Sequence, residues 1–332
     1  MNITEFANLL NLSAGTVSRA LNDRAEVSPR TRKLVLEKAE ELGFRRNANA
    51  RRLVTGKNFL IRLECPDTTH VLSDRYLVEL ARAVENAVGA HGYDLQLRLG
   101  TRRREVAISD SMPADGLILV SSPDTTAADV EALTDRGAMP VVVICEVRPL
   151  DYPGASYVCL DTIPGVGEAI RKLAELGHRR VGYVGSGRPG SHVRAALPNL
   201  FAGAGLMWDD ELAIEAGVTQ EQGTQATMRL LSHPSPPTAV FTRTDILAAG
   251  AIQAVYSMGL NVPADVSVIG HDNIEIASLV NPPLTTVAID IPQVGAAAAS
   301  AVLATIEHRA APTVQNLSTH LIMRKSAAVA KA

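Results

Sequence analysis

Residues 13–22 read Ser-Ala-Gly-Thr-Val-Ser-Arg-Ala-Leu-Asn, and this stretch decides the fold at the amino-terminal end of the chain. Ser13 can cap a helix with its hydroxyl, and Val17, Ala20 and Leu21 then share one apolar face at helical spacing. The opposite face carries small and polar side chains with a single arginine. Such a helix is expected to pack on its own domain through one face and to offer the other face to a groove.

A short helix on each side completes a small headpiece. Phe6 and Leu10 recur at helical spacing, and Asn11 follows them as a residue that tolerates the left-handed conformation of a tight turn. A third helix is predicted to start at Ser28, with Pro29 at its first position, and to end before Gly43. Its expected apolar stripe contains Val35, Ala39 and Leu42.

These three helices, with a tight turn between the first two, predict a helix-turn-helix unit that places its second helix in the major groove of DNA. Arg19 is the expected base reader, because a guanidinium pairs bidentately with O6 and N7 of guanine. Ala14 and Gly15 allow van der Waals contact with a base, for example with a thymine methyl group. An ordinary helical hairpin is the alternative that this pattern leaves open. The residues expected to hold the DNA backbone are Ser13, Thr16, Ser18, Asn22, Ser28 and Thr31.

Charge is divided unevenly along the chain. Residues 1–57 carry 11 Lys and Arg against 6 Asp and Glu, a balance of +5, whereas the whole chain of 332 residues carries −3. The remainder therefore carries −8, and the basic end is the expected site for a polyanion. A chain of this length has material for two or three domains.

Residues 47–57 form a polar segment with two arginines and one protruding leucine. The segment is too short and too polar to be a stable helix alone. It could become helical on DNA, with Leu53 wedged between base pairs in the minor groove and with Asn47, Ala50 and Arg51 as further contacts. A plain linker is the alternative.

From residue 58 the pattern changes to short β-rich runs separated by helical stretches, which predicts parallel sheets. Two series of strands indicate an α/β body of two doubly wound lobes, roughly 58–157 with 290–316 and 160–287 with 318–330. In such sheets ligands bind beyond the carboxyl ends of the strands, so a cleft between the lobes is expected to bind a small molecule. The predicted strands are 59–63, 94–99, 116–120, 141–145, 157–160, 180–184, 212–216, 239–242 and 266–269.

Two charges, Arg62 and Glu64, interrupt the first of these strands. A parallel strand covered on both faces is usually apolar throughout. The charges therefore indicate an edge or interface position for this strand.

Other features of the sequence indicate where the protein is found and which kinds of bound group it lacks. No secretory leader opens the chain and no apolar run reaches membrane-spanning length, so a cytoplasmic protein without a membrane partner is expected. Cys65, Cys145 and Cys159 are odd in number and widely spaced, which predicts reduced buried thiols rather than disulfides or a zinc site. No cofactor and no metal are expected.

Several separate stretches of the chain resemble the LacI/GalR family of transcription regulators, from Ile3 to about Ser326. The resemblance implies a helix-turn-helix headpiece over residues 1–46 and a hinge helix over 47–57 that DNA orders. It also implies a periplasmic-binding-protein-like body over 58–332 that dimerises and binds a small effector. The stretches that carry the resemblance are Thr16–Asn22, Val27–Arg32, Ala39–Phe44, Leu176–Tyr183, Val262–Gly270 and Asn281–Val287.

The resemblance further implies an effector site in loops at the cleft. Three arginines among the residues there would suit a carboxylate or phosphate, so a sugar, a sugar acid or a sugar phosphate is the expected effector. Asp245, which follows one of the candidates, is more typical of a helix N-cap than of a ligand contact. The candidate residues are Arg75, Tyr76, Asp161, Arg194, Arg243, Thr244, His271 and Asp272.

Two other classes of protein fit the chain less well. Residues 185–190 read Gly-Ser-Gly-Arg-Pro-Gly and match the glycine pattern of a dinucleotide site, but Pro189 and the position in the second lobe favour a plain cleft loop over a nucleotide-cofactor enzyme. A solute-binding protein would share the two-lobed body but would need an export leader and no DNA headpiece. The expected protein is therefore not an enzyme.

We expect a homodimer that represses carbohydrate or related catabolic genes by placing two recognition helices on a near-palindromic operator in double-stranded DNA. Effector binding between the lobes would change the affinity for DNA. The sequence leaves open whether the effector releases DNA, acts as a corepressor, or belongs to an activator.

Overall fold

The chain divides into two compact units, residues 1–59 and 60–332. The first unit is helical, and the second is an α/β body with two sheets. The computed structural model describes residues 3–21, 26–42, 56–65, 75–99, 114–122, 125–134, 139–146, 152, 154–185 and 192–331.

The headpiece contains helices α1 (Ile3–Leu9), α2 (Ala14–Leu21) and α3 (Pro29–Glu41). Asn11 has φ 53°, which confirms the left-handed turn expected between α1 and α2. Leu42 is 46% exposed, so the prediction that α3 packs through this residue is wrong; the stripe ends with the helix. The buried side chains are Phe6, Ala7, Val17, Ala20, Val27 and Val35.

The body begins with a lobe built on a parallel sheet. The elements of this lobe are β1 (Leu60–Cys65), α4 (Arg75–Gly89), β2 (Asp94–Leu99), β3 (Gly116–Val120), α5 (Ala127–Leu133), β4 (Val141–Cys145), β5 (Ala155–Asp161), α11 (Ile291–His308) and β11 (Val314–Ser318). The six strands lie in the order β11, β5, β4, β3, β1, β2. Helix α11 crosses one face of this sheet and packs closely on helix α4, where Gly295 leaves no room for a Cβ beside Ala83.

The second lobe is built on a sheet of six strands. The elements of this lobe are α6 (Ile163–Glu175), β6 (Val181–Gly185), α7 (His192–Gly203), β7 (Ala213–Glu215), α8 (Gln220–Leu231), β8 (Ala239–Thr242), α9 (Asp245–Ser257), β9 (Ser267–Asp272), α10 (Ile276–Leu279), β10 (Thr285–Ala288) and β12 (His320–Ile322). The strands lie in the order β12, β10, β9, β8, β6, β7, and β12 runs antiparallel to β10 while the other neighbours are parallel. A 3-10 turn, Asp210–Leu212, precedes β7.

The edge position expected from Arg62 and Glu64 is wrong, because β1 lies between β2 and β3. The two side chains are buried opposite polar partners on β2. Arg62 Nε donates to Gln96 Oε1 at 3.0 Å, and Arg98 Nε lies 3.8 Å from Glu64 Oε2. Burial nevertheless raises the pKa of Glu64 above its usual range. Polar partners on the neighbouring strand therefore accommodate Arg62 and Glu64 inside the sheet.

The three cysteines are buried and free of disulfides, as the sequence predicts. Cys145 and Cys159 face one another across β4 and β5 with their Sγ atoms 3.4 Å apart. Within the described ranges, no group of three or more His, Cys, Asp or Glu side chains could hold a metal ion. None of the helices described there is long and apolar enough to cross a membrane.

The chain passes between the two sheets after β5, after β10 and after β11. Thr319, which is 4% exposed, joins two of these connections. Its Oγ1 lies 3.1 Å from the carbonyl oxygens of Asp161 and Thr162 and accepts a hydrogen bond from the Gly165 amide at 3.3 Å. One hydroxyl thus ties the start of α6 to the last connection.

Replacing this hydroxyl tests its contribution to stability. Thr319→Val keeps the shape but leaves buried backbone groups without a partner, so the free energy of unfolding should fall by about 1–3 kcal/mol. Urea unfolding of the full chain measures the loss, and Thr319→Ser is the matched control because it keeps the hydroxyl. An equal or larger loss in Thr319→Ser would contradict a special contribution of the hydroxyl, because that variant keeps it.

Candidate DNA-binding helix and effector cleft

The polar face of α2 is organised by its capping residue. Ser13 Oγ accepts a hydrogen bond from the Thr16 amide at 3.0 Å and lies 2.8 Å from Thr16 Oγ1. Ser28 and Thr31 repeat this arrangement at the start of α3, with the Thr31 amide 3.1 Å from Ser28 Oγ. The hydroxyls expected to contact phosphates therefore also fix the ends of the two helices.

Arg19 is exposed on α2 and folds back over Gly15. A Cβ placed on Gly15 would lie 3.6 Å from Arg19 Nη1 and 3.8 Å from Ser13 Oγ, so these groups form one patch near the start of the helix. Ala14, Thr16 and Ser18 are half-buried beside this patch. The remaining predicted DNA contacts lie outside the described residues: Asn22, Asn47, Ala50, Arg51 and Leu53.

In the body, the carboxyl ends of four parallel strands carry charged or polar side chains at the cleft. Glu146 follows β4 in the first lobe, and Asp161 ends β5. Arg243 follows β8 in the second lobe, while His271 and Asp272 end β9. Parallel strands present their carboxyl ends at one edge of a sheet, which explains why residues far apart in sequence meet here.

Arg243 is the centre of this group. Its Nη2 donates to Glu146 Oε1 across the cleft, and its Nη1 lies 3.8 Å from Asp272 Oδ1. The same Nη1 is 3.2 Å from His271 Nδ1, which is in turn 2.9 Å from Asp272 Oδ1. A second contact between the lobes, from the Glu275 amide to Glu79 Oε1 at 3.0 Å, involves no arginine.

The ionisable side chains in this group shift one another's pKa values. Partial desolvation at the cleft opposes ionisation of Glu146, whose side chain is 40% exposed, but Arg243 and its hydrogen bond outweigh this effect and hold the pKa of the carboxyl below its usual range. Glu146 and Asp272 likewise raise the pKa of the Arg243 guanidinium in spite of its burial. Burial, helped by the nearby guanidinium, lowers the pKa of His271 well below its ordinary value, so the imidazole is neutral at pH 7.

Two buried polar atoms beside Arg243 have no hydrogen-bond partner among the described residues: His271 Nε2 and Tyr183 Oη. The two side chains are 0% and 1% exposed. Tyr183 Oη lies over Gly185, where a Cβ would collide with that hydroxyl and with Arg243 Cβ. Burial raises the pKa of Tyr183 to about 12, so the phenol remains protonated and can donate.

Of the predicted effector residues, the structure brings Arg243, His271 and Asp272 together. The other predicted residues make different contacts, although the charge of Arg194, like that of Arg243, acts on Tyr183. Asp161 Oδ1 accepts from the Ile163 amide at 3.3 Å, and Arg194 pairs with Asp210 at 2.8 Å.

Further residues complete this picture. Arg194 also stacks 4.6 Å above the ring centre of Trp208. Arg75 and Tyr76 begin α4, where Arg75 is exposed and Tyr76 half-buried. Glu146 and Tyr183 were missed from the sequence. The position of Glu146, directly after a predicted strand, is the signal that could have found it.

Known proteins share both parts of this architecture. Residues 2–47 match the family described as bacterial regulatory proteins, lacI family, and residues 170–327 match the periplasmic binding protein-like domain. Catabolite control protein A of Priestia megaterium is 31% identical over 90% of this chain and 91% of that protein. The chain belongs to the LacI family.

Further relatives of this LacI-family chain agree. The HTH-type transcriptional regulator AglR of Rhizobium meliloti is 32% identical over 98% of this chain and 94% of that protein. The structure of a CelR–cellobiose complex matches with a TM-score of 0.70 and 25% identity over 98% of this chain and 99% of that one. A lac repressor dimer bound to operator matches with a TM-score of 0.77 and 22% identity over 99% of both chains, which supports the fold. Members of the family regulate transcription and are not enzymes.

The expectation that Asp245 caps a helix is wrong, because Thr244 is the N-cap of α9 and accepts from the Leu247 amide at 3.2 Å. Asp245 instead holds the turn after β9. Its two carboxylate oxygens accept from Thr286 Oγ1 at 2.5 Å and from the Ile274 amide at 2.9 Å. This turn contains Asp272 at φ 108° and Asn273 at φ 58°, conformations that need outside support.

Burial of Asp245, reinforced by the charge of Asp272, raises its pKa well above the usual value. The pKa of Asp245 is higher in the folded state than in the unfolded state. Ionising Asp245 therefore destabilises the fold as pH rises from the unfolded pKa to the folded one. Asp245→Asn removes that effect, since an amide can accept from Ile274 and donate to Thr286. The unfolding free energy of the wild type minus that of Asp245→Asn should therefore fall as pH rises above the usual aspartate pKa of about 4.

Urea unfolding at several pH values measures this difference. Asp265→Asn provides a control of opposite sign, because hydrogen bonds from Lys331 and Asn261 lower the pKa of Asp265. The wild-type advantage over that variant should be lost as pH falls through the lowered folded pKa. A difference for Asp245→Asn that does not change with pH would contradict the raised pKa.

Proposed function

We propose that the chain is a repressor that reads an operator with α2 and responds to a small molecule in the cleft of its body. The observation that carries the DNA-reading part is the patch of Ser13, Gly15 and Arg19. It lies on the exposed side of a helix whose opposite face is buried through Val17 and Ala20. An exposed guanidinium beside small residues suits entry into a major groove.

Residues 1–46 form the DNA headpiece in this proposal, and residues 47–57 form a hinge that folds on the minor groove. Two copies of the chain would place their α2 helices on the two halves of a near-palindromic operator. The lac repressor structure that shares this fold is a dimer bound to operator. A protein that acts on chromosomal DNA works where the DNA is, so we assign it to the cytoplasm.

The effector would bind between the two lobes, at the group of charged side chains around Arg243. The relative CelR, 25% identical to this chain, is solved in a complex with cellobiose, which supports a sugar-type ligand. Arg194 is paired with Asp210 and stacked on Trp208. Arg243 is the one that lies in the interlobe network.

Binding to the DNA upstream of the protein's own gene tests the proposal. Purified chain should bind this DNA more tightly than random DNA at fixed salt, and one compound from a panel of sugars, sugar acids and sugar phosphates should change the affinity. Weakening by the compound would mean induction, and strengthening would mean corepression. Binding without preference over random DNA would contradict the proposal.

Removing the Arg19 side chain should relax base preference at one position in each half of the operator. Arg19→Ala is expected to cost about 1–3 kcal/mol of binding free energy for each base that the guanidinium reads. Fluorescence anisotropy with operators substituted at every position measures both effects. Arg229→Ala, an exposed arginine on α8, is the control and should leave operator binding unchanged. A uniform loss across all operator sequences would show that Arg19 grips only phosphate.

A further inference from the structure

The second lobe holds a carboxylate that belongs to the first lobe. Glu146 extends from the end of β4 to Arg243 at the end of β8, and the two side chains form the ion pair across the cleft. Arg243 favours the ionised form of Glu146 through its charge and its hydrogen bond. The site around Arg243 therefore already accommodates an anion.

The site that binds the Glu146 carboxylate also contains polar atoms that form no hydrogen bond within the described residues. His271 Nε2 and Tyr183 Oη are buried beside Arg243 without partners in the described part of the chain. In a neutral imidazole Nε2 is a donor in one tautomer and an acceptor in the other, and a phenol can act in both ways. A hydroxyl group can satisfy either atom in either state. The groups around Arg243 thus match one carboxylate with hydroxyls close to it.

We propose that the effector is a hydroxylated carboxylic acid whose carboxylate replaces that of Glu146 on Arg243. This inference rests on the proposed function, since it names the ligand of the same cleft. Glu146 is the group that leaves, because its side chain is 40% exposed whereas that of Arg243 is 16% exposed. The effector's hydroxyls hydrogen-bond to His271 Nε2 and Tyr183 Oη.

Charge balance favours an acid over a neutral sugar. Arg243 lies between Glu146 and Asp272, and Asp272 remains in the second lobe when Glu146 leaves. An incoming carboxylate restores the charge that Glu146 removes, whereas a neutral ligand that displaced Glu146 would leave a guanidinium with one fewer carboxylate. Exchange of one carboxylate for another preserves the charge-assisted hydrogen bond.

The same balance favours a carboxylate over a phosphate. A phosphate monoester brings close to two negative charges at neutral pH, and the second charge would lie near Asp272. Asp272 is held there by the turn that Asp245 supports, so it cannot easily withdraw. A carboxylate can also take the position that the Glu146 carboxylate now has on Arg243 Nη2 and accept the same hydrogen bond.

Glu146 acts as a tethered competitor of the effector in this proposal. A ligand that must first displace an internal group binds with an affinity reduced by the fraction of molecules in which the site is open. Glu146→Gln removes the competing charge and keeps the size of the side chain, so it should tighten binding of the acid. Glu79→Gln is the matched control, because Glu79 also reaches the second lobe but accepts from a backbone amide that glutamine can still satisfy.

The experiment titrates wild type, Glu146→Gln and Glu79→Gln with gluconate, glucuronate and galacturonate, and with glucose, galactose and their 6-phosphates. Trp208 is the chain's single tryptophan and lies 6.3 Å from the Tyr183 ring, so its fluorescence reports on the site, with calorimetry as a second readout. Wild type should bind at least one acid in preference to its neutral counterpart. Glu146→Gln should bind that acid about tenfold or more tightly, and Glu79→Gln within about twofold of wild type.

Three results would overturn the proposal: a neutral sugar or a phosphate that binds as tightly as the matching acid, weaker or unchanged acid binding by Glu146→Gln, or no acid bound by that variant. Operator binding by the same three proteins separates this failure from failure of the proposed function. A protein that binds its operator and responds to a neutral sugar keeps the regulator and loses the acid site. A protein with no specific operator binding loses the proposed function itself.

Discussion

A guanidinium removed from water must be neutralised, and the body of this LacI-family chain neutralises Arg243 with carboxylates from both of its lobes. Asp272 comes from the same lobe, whereas Glu146 comes from the other. The lobe that donates Glu146 is therefore attached to the second lobe by an ion pair as well as by the three chain connections. Any ligand that competes for Arg243 also changes how the lobes contact each other, which couples ligand chemistry to lobe arrangement without a separate device.

The sequence predicts the parts of the fold that local pattern controls. Apolar runs placed the strands of both sheets within a few residues, from Leu60–Cys65 to Ser267–Asp272, because buried parallel strands are continuously apolar. Strands β10, β11 and β12 were not predicted. Thr285–Ala288 begins with two threonines, and Val314–Ser318 is exposed and largely polar. Both segments become strands only through partners distant in sequence, which no local period reveals.

The candidate sites divide in the same way. In the headpiece, caps and turns within a few residues fix α2, so the positions of Ser13 and Arg19 follow from the sequence alone. In the cleft, Arg243, His271 and Asp272 were predicted because they fall in loops that the family resemblance places there, but their partners were not predicted. Glu146 lies 97 positions from Arg243, and only the order of strands brings them together. Pairing of this kind also explains why Arg62 and Glu64 were misplaced at an edge.

The two lobes contribute to recognition unequally. The turn that presents Asp272 is held by Asp245 through Ile274, and Arg324 Nη2 donates to Asn273 Oδ1 at 2.6 Å, so hydrogen bonds within the second lobe fix this candidate ligand group. Among the described residues, no comparable hydrogen bond from the first lobe holds the Glu146 side chain. Its hydrogen bond comes from Arg243 of the second lobe. A fixed half gives selectivity, because its groups need no reordering on binding. The first lobe, whose contact through Glu146 can be exchanged, allows the protein to respond to a ligand. Only a contact that differs between the free and bound states can shift the equilibrium between lobe arrangements.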